Sequence, residues 1–336
     1  MLYAEESLTE QEKAQKRQEL NQAAQAAAAI QSQPKNPAAE ANPWTVTVVS
    51  NFGSERNVTF DSRRLSDTYH QETVTGTYTK EHKGLLHFIP SGKYGVTGNI
   101  DEFDYSRRNE SDYRNFKANP FLTTNLTPTT ALKTEYTFKN ARFLKRDSVN
   151  YLSHEIKGSL SEARLAHWLH TLYTTIEFRD YTDKFLMSAT GGVGADKRSD
   201  LLDEYGYSAM YFPSNKLVFG VTGAYHIDDS NDNWVNYSDY DGYKVTGFIY
   251  AAFNDRLSWV GAAGYDQKWY KAKVISAADP TKIEEDELLY FASYAYYNLT
   301  PKTQIVLAYF WDQNFSNDPL LQFTDHMVTV GFSVKL

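Results

Sequence analysis

The stretch that decides the fold is Met327-Val328-Thr329-Val330-Gly331-Phe332-Ser333-Val334-Lys335-Leu336. Its even-numbered positions are apolar, whereas the odd-numbered positions after the methionine carry Thr, Gly, Ser and Lys. Successive side chains of a β-strand point to opposite faces of the sheet. The rhythm therefore predicts a strand with one apolar face and one polar face.

The run before it repeats this rhythm. One parity carries Ile305, Leu307, Tyr309 and Trp311, and the other includes Gln304, Ala308 and Asp312. Farther upstream, residues 132–139 form the cleanest alternating strand, and further strand-like runs begin at Trp44. Aromatic-rich strands with alternating faces are typical of a transmembrane β-barrel.

The connections between these runs alternate in length. Short turns are predicted at residues 213–215, 254–256 and 298–302, and longer polar loops at residues 227–241, 272–285 and 314–321. Short turns on one rim and long loops on the other are the pattern of an outer-membrane barrel. We predict an all-β fold, a transmembrane antiparallel β-barrel of twelve to fourteen strands. Residues 104–128 are expected to form a long irregular loop that constricts the pore.

Composition excludes several classes of protein. The chain has 336 residues, no cysteine and a net charge of -8, which argues against thiol chemistry and a nucleic-acid partner. Mean hydropathy is -0.56, and no run of about eighteen apolar residues predicts a membrane helix. The 25 Tyr and 6 Trp residues suit interfacial girdles. No secretory signal opens the chain, so we expect an exported form to be processed.

Residues 1–43 differ in character from the rest of the chain. Ser7-Leu8-Thr9-Glu10 resembles a capping box, and helix formers continue to about Ser32, before a Pro/Ala/Asn linker over residues 34–43. Two interpretations stay open: a helical stub of an upstream coiled coil or periplasmic region, or a slim helix that plugs the barrel. The side chains that would contact the lumen wall in a plug are Lys13, Lys16, Arg17, Glu19, Leu20, Ala23, Ala27 and Ile30.

Residues 44–336 resemble a Gram-negative outer-membrane β-barrel channel. The closing run, residues 327–336, is similar to the terminal strand read by the barrel-assembly machinery, although it ends in Leu336 rather than an aromatic residue. The N-terminal helix, linker and barrel together resemble FapF-like exporters of functional-amyloid subunits, in which a helix plugs the pore. The resemblance implies the bacterial outer membrane, with the lipid bilayer and lipopolysaccharide as partners. A secreted polypeptide and homo-oligomers are further partners it allows.

Charged residues on the polar faces are the candidate pore lining. Both signs are interspersed, which favours a hydrated lumen over a strongly ion-selective pore. The candidates are Lys133, Glu135, Lys139, Glu155, Lys157, Glu177, Arg179, Lys244, Asp266, Lys268 and Asp312. No metal site, cofactor or catalytic residue is predicted.

These patterns are compatible with three functions. The leading one is a channel, gated or plugged by its N-terminal helix, that passes either an exported polypeptide such as an amyloid subunit or, as in a porin, small solutes such as sugars or ions. An outer-membrane enzyme is disfavoured: Asp325 and His326 are adjacent on a strand and so face apart, and no serine partner is identifiable. A soluble all-β binding protein would need its apolar faces inside a sandwich core.

Overall fold

The computed structural model describes residues 43–56, 66–84, 90–107, 111–144, 150–187, 193–231, 239–276, 279–319 and 321–336. The predicted helix and nearly all of the predicted linker, residues 1–42, lie outside these ranges. The strand-like run at residues 57–60 also lies outside them.

Fourteen antiparallel strands form one closed barrel, in which β1 pairs with β14. This confirms the barrel prediction at the upper limit of the expected strand number. The strands are β1 Trp44–Glu55, β2 Asp67–His82, β3 Gly92–Tyr105, β4 Tyr113–Asn125, β5 Thr130–Phe143, β6 Tyr151–Glu162, β7 Trp168–Met187, β8 Val193–Ser214, β9 Leu217–Ser230, β10 Tyr240–Ala252, β11 Leu257–Ser276, β12 Asp279–Thr300, β13 Thr303–Asn314 and β14 Phe323–Lys335.

The apolar face of each strand points outward. Val330 on β14 is 53% exposed and Phe52, its partner on β1, is 62% exposed. Thr329, which precedes Val330 on β14 and points to the other face, is buried. Leu307 and Ile100 are likewise exposed. Apolar side chains around the outside of a closed barrel form a lipid-contacting belt. The sandwich-core alternative is therefore wrong, because these side chains do not pack against a second layer.

Aromatic rings mark both edges of this belt. The ring centroids of Trp168 and Tyr211 lie 4.8 Å apart near the edge at which β1 begins and β14 ends. Near the other edge, Tyr243 and Trp269 lie 5.5 Å apart. Such girdles are placed at the two membrane interfaces. In the part of the chain that the model describes, no helix is both long and apolar enough to cross a bilayer.

The connections differ between the two edges. The edge at which β1 begins and β14 ends has tight turns, such as residues 215–216, 253–256 and 301–302, and this is the periplasmic edge. At the extracellular edge, β7 and β8 continue beyond the last residues paired to their outer neighbours, and so do β11 and β12. Two long hairpins therefore project from this rim.

Two sequence predictions about loops are wrong. Most of residues 104–128 forms the end of β3 and the whole of β4, so the described part of this stretch is mainly strand rather than an irregular loop that constricts the pore. The stretch had the polar, arginine-bearing composition of a loop; within β4, only the pairing to β5 is interrupted, where it skips Asn119 and Pro120. Much of residues 272–285 belongs to the β11–β12 hairpin rather than to an irregular loop.

Candidate functional site

The candidate site is the interior of the barrel. Fourteen strands spaced about 4.8 Å apart and tilted by about 40° enclose a backbone cylinder roughly 28 Å across. Side chains from one wall extend only part of this distance, so a cylinder of this width can enclose a path or a further segment of chain. Which side chains face inward therefore decides what the interior can do.

All eleven predicted lining residues lie on the inward face. On β5 to β7 the odd-numbered side chains point inward, and on β8 to β13 the even-numbered ones do, as the register with the exposed apolar positions requires. The inward residues of the prediction are Lys133, Glu135, Lys139, Glu155, Lys157, Glu177, Arg179, Lys244, Asp266, Lys268 and Asp312. That they line a conducting path stays a prediction.

Strands β5 to β8 form a wall that carries both charges, called here the charged wall. Lys133 Nζ lies 2.7 Å from Glu135 Oε1, two residues along β5. Arg179 donates to Glu177 at 3.0 Å in the same i, i+2 arrangement on β7. Glu204 of β8 accepts from Lys244 of β10 at 2.7 Å. Because paired opposite charges alternate along this wall, its local potential changes sign over short distances.

The sequence prediction missed part of the charged network. Arg198 Nε and one terminal nitrogen each donate to Asp200 at 2.7 Å, a buried bidentate pair on β8. Lys117 faces inward on β4 and was missed because that strand was predicted to be a loop. The signal for the first pair was present: Arg198 and Asp200 have the same i, i+2 spacing as Lys133 and Glu135.

Tyrosine rings hold several of these cations near the extracellular end. Lys139 Nζ lies 5.1 Å from the ring centroid of Tyr151, and the Arg179 guanidinium carbon lies 5.0 Å from it. Lys268 Nζ stands 4.7 Å over Tyr240. Cation–π attraction stabilises a positive charge where water is scarce. These three cations therefore lie against the wall of the barrel rather than extending into the lumen.

Much of the opposite side of the interior is apolar, and the sequence prediction of a polar inner face is wrong for this part. We call it the apolar wall; it comprises the apolar inward residues of β9 to β14, next to the charged Lys244, Asp266 and Lys268 of the same strands. Its buried members include Val218, Tyr250, Val260, Ala262, Leu288, Tyr290, Ala292, Tyr294, Tyr296, Ala308, Phe310 and Met327. The Tyr294 and Phe310 rings meet edge to face at 5.3 Å.

Carboxylates lie above the apolar wall, toward the extracellular end. Asp312 of β13 pairs in register with Asp325 of β14, and both face inward. Glu55 pairs with Met327 on the next strand, and its Oε2 accepts from the Tyr105 hydroxyl at 2.5 Å. Asp325 and Glu55 are 1% and 0% exposed. These three residues are called the acidic row.

Interior aromatic rings repeatedly lie over glycine. Tyr69 is the cross-strand partner of Gly53, and Phe121 is the partner of Gly95. A Cβ at these glycines would come within 3 Å of the partner's ring atoms. The same relationship joins three further pairs, Tyr173 with Gly206, Phe248 with Gly220, and Tyr290 with Gly264. Glycine thus lets the ring lie flat on the wall rather than project across the lumen.

A buried lysine–glutamate hydrogen bond lies in the projecting β11–β12 hairpin. Outward side chains beyond Trp269 are charged, including Lys271 and Glu285, so this part of the hairpin is outside the lipid belt. Lys273 Nζ donates to Glu284 Oε1 at 2.7 Å. Burial raises the pKa of the Glu284 carboxyl to about 8; the Lys273 ammonium opposes this shift, and the Asp286 carboxylate adds to it.

The residues considered for enzymatic or metal sites are not assembled into one. Asp325 faces inward, whereas His326 faces outward, where its Nδ1 lies 2.9 Å from the Tyr309 hydroxyl. His170 also faces outward, with Nδ1 2.5 Å from the Tyr207 hydroxyl. Among the described residues, no group of three or more His, Cys, Asp or Glu side chains could hold a metal ion.

Comparison with known proteins gives a fold relationship and no sequence relationship. No family model matches the chain, and no curated protein matches it. A solved structure of the outer membrane channel DcaP of Acinetobacter baumannii is similar with a TM-score of 0.50 and 8% identity, covering 87% of this chain and 96% of that one.

Two further solved structures are similar at lower scores. Outer-membrane expressed OmpT of Vibrio cholerae has a TM-score of 0.46 and 8% identity, with 89% of this chain and 99% of that one covered. An anion-selective porin from Comamonas acidovorans has a TM-score of 0.43 and 9% identity, with 87% and 98% covered. The closed barrel, its lipid belt and its two aromatic girdles make this protein a β-barrel of the bacterial outer membrane.

Proposed function

We propose that this protein is an outer-membrane channel that passes an extended polypeptide and is plugged by its N-terminal residues 1–42. The observation that carries the proposal is the pair of unlike inner walls. An extended polypeptide presents both charged and apolar side chains, and the charged wall and the apolar wall offer surfaces for each. A narrow ring of like charges, which selects small ions, is a different arrangement.

The flattened rings support the same proposal. Tyr69, Tyr173 and Tyr290 lie over glycines, so large side chains are kept out of the central space. Space for a polypeptide also creates a leak, because ions and nutrients would cross an open bore of this width. A channel of this kind therefore needs a closing element, and the 42 residues that precede the described barrel supply enough chain for one.

A second candidate is a diffusion channel for sugars. The rings of Tyr294 and Tyr296 on the apolar wall are parallel within 9°, with centroids 6.1 Å apart. Both rings are buried, so they would meet the C–H faces of sugar rings only after the residues that cover them move away. Transport rather than catalysis is proposed in both cases, because Asp325 and His326 face apart.

The partners follow from the outer surface. We propose that the belt contacts the lipid bilayer and, in the outer leaflet, lipopolysaccharide. The barrel-assembly machinery is proposed to read the terminal strand, residues 327–336. Homo-oligomer formation would use part of this same outer surface, and cross-linking in native membranes tests it.

Planar-bilayer recording tests the proposed function. The full chain is expected to conduct little, and the variant lacking residues 2–42 is expected to show large, steady conductance. Added unfolded peptides that carry both charged and apolar residues should block the open variant at lower concentration than maltooligosaccharides do. Equal conductance of the two proteins would refute the plug, and preferential block by the sugars would favour the second candidate.

A further inference from the structure

The apolar inward side chains pack as one cluster along the wall. Ala292 is 0% exposed, and Val260 and Val218 are 1% exposed, although all three side chains face into the barrel. Neighbouring rings such as Tyr294 cover these small side chains. The larger apolar side chains of the wall therefore form a surface against which the apolar face of a further segment can pack.

The N-terminal sequence has a face that matches this wall. Lys13, Lys16 and Arg17 are followed at helical spacing by Leu20, and the same stripe continues through Ala23, Ala27 and Ile30. Residues three or four apart lie on one side of a helix. The predicted helix would thus carry cations at its beginning and small or apolar side chains toward its end, all on one face.

The apolar wall and the acidic row show a matching order along the barrel axis, with apolar residues near the periplasmic edge and charged residues above them. From the periplasmic edge upward, β13 presents Val306, Ala308 and Phe310 inward and then Asp312. On β14 the acidic row continues at Asp325, and on β1 at Glu55. Apolar side chains therefore lie low in the barrel, and carboxylates lie high.

The heights of matching residues above the periplasmic edge also agree between the predicted helix and the barrel wall. Each strand residue rises about 2.5 Å along the barrel axis at a tilt near 40°, so Asp325, ten residues above Lys335, lies about 25 Å above the periplasmic end of β14. In a helix that enters with Ser32 at this edge, Lys16 lies sixteen residues and about 24 Å higher. By the same measure, Ala23 and Ala308 both lie about 13 Å above the edge.

The linker is long enough for the predicted helix to enter the barrel from the periplasmic edge. The described barrel begins at Pro43, next to Trp44 at the periplasmic end of β1. Residues 34–43 of the linker reach about 33 Å when extended, which exceeds the radius of the barrel. The linker can therefore turn back and place the preceding residues beside the apolar wall.

We propose that residues 13–30 dock as a helix on the apolar wall, with Lys13, Lys16 and Arg17 facing the acidic row. The inference rests on the proposed plug and specifies its docking surface. The helix leaves the charged wall facing the remaining space. Release of the helix would then expose the apolar wall, together with the charged wall, to a passing polypeptide.

Disulfide trapping tests the docking directly, because the chain contains no cysteine. Ala23→Cys combined with Ala308→Cys is expected to form an intramolecular cross-link under mild oxidation, seen as a shift in gel mobility. Two matched pairs should not form one: Ala23→Cys with Leu307→Cys, which faces lipid, and Ala23→Cys with Thr175→Cys on the opposite wall. Each substitution is small and neutral, so assembly of the barrel is expected to persist; heat-modifiable mobility verifies it.

Charge reversal supplies a second test. Asp325→Lys should raise the conductance of the full chain toward that of the variant lacking residues 2–42, and adding Lys16→Asp should lower it again. Cross-linking to position 175 as fast as to position 308, or no cross-link at all, would overturn the docking proposal. If deletion of residues 2–42 still raises conductance in that case, the plug stands without this docking surface. A cross-link to position 308 with unchanged conductance after deletion would instead leave docking intact and refute the plug.

Discussion

The ring of Tyr69 occupies the space that a side chain at Gly53 would need. The two residues are direct partners across β1 and β2, and a Cβ at position 53 would lie 2.5 Å from Cζ of the tyrosine. The Tyr69 hydroxyl contacts the Thr329 hydroxyl on β14. The Tyr69 ring of β2 lies flat over β1 and reaches β14, so it links these three strands where the barrel closes.

Gly53→Ala should destabilise the barrel because the added methyl group would lie 2.5 Å from both the Tyr69 ring and the Val328 carbonyl oxygen, so the ring and the β14 backbone must both shift. We expect a loss of about 1–3 kcal/mol in the free energy of unfolding, as is usual for overpacking. Gly76→Ala is the matched control, since a Cβ there meets nothing within 4 Å. Urea-induced unfolding in lipid vesicles, followed by tryptophan fluorescence, measures both variants. Equal stability of the two would show that the ring has room to move.

Val330→Lys tests the assignment of the outer face. Its side chain is 53% exposed in the lipid belt, so a charge there should cost about 2–4 kcal/mol if the residue lies near the bilayer midplane. Ser333→Lys, which faces inward on the same strand, should cost much less. The same unfolding measurement applies. A neutral result for Val330→Lys would contradict the outward assignment.

Lys157→Glu should shift the ion selectivity of the open channel toward cations. The Lys157 ammonium faces inward, 4.5 Å over the Tyr173 ring, and the substitution changes the local charge of the lining by two units. The reversal potential in a potassium chloride gradient, recorded on the variant lacking residues 2–42, measures the shift. Lys271→Glu, at an outward position beyond the belt, is the control and should leave the potential unchanged. Identical shifts would place the charge effect outside the lumen.

The β11–β12 hairpin should lose protection as the pH rises. Because the pKa of Glu284 in the folded protein, about 8, lies above its ordinary value of 4.5, folding favours the protonated carboxyl. The stabilisation is present in full below about pH 4.5 and is lost as the pH rises through about 8. Hydrogen exchange of hairpin amides, corrected for intrinsic rates, should therefore quicken over this window. Glu284→Gln should abolish most of this dependence, and an unaltered profile would assign it to other groups.

The fold was predictable because the lipid requirement acts on every strand in the same way. Ile305, Leu307 and Val330 had to be apolar to meet hydrocarbon, so a period of two is visible in the sequence without knowledge of the partners of each strand. β4 was hidden because the stretch around it is polar and carries Arg107, Asp112 and Arg114, which is the composition of a loop. That strand was therefore predicted to be a loop.

The interior was less predictable because contact with water, unlike contact with lipid, does not restrict a position to one type of side chain. Tyr294 and Ala292 face inward beside residues of other strands, and their burial depends on register across β11 to β13. The charged positions were easier to find, since Glu135 and Lys157 alternate with apolar residues such as Tyr136 and Ile156. Cross-strand pairs such as Tyr69 with Gly53 need the barrel closure itself, which no local pattern contains.

The two projecting hairpins make the outer end of the protein uneven. β7–β8 and β11–β12 are separated in the barrel by only β9 and β10, so both stand on the same side of the opening. An antibody, a phage or a neighbouring cell approaching from outside would meet this pair of hairpins beyond the ends of the other described strands. A molecule bound to the pair would therefore lie over one side of the barrel opening.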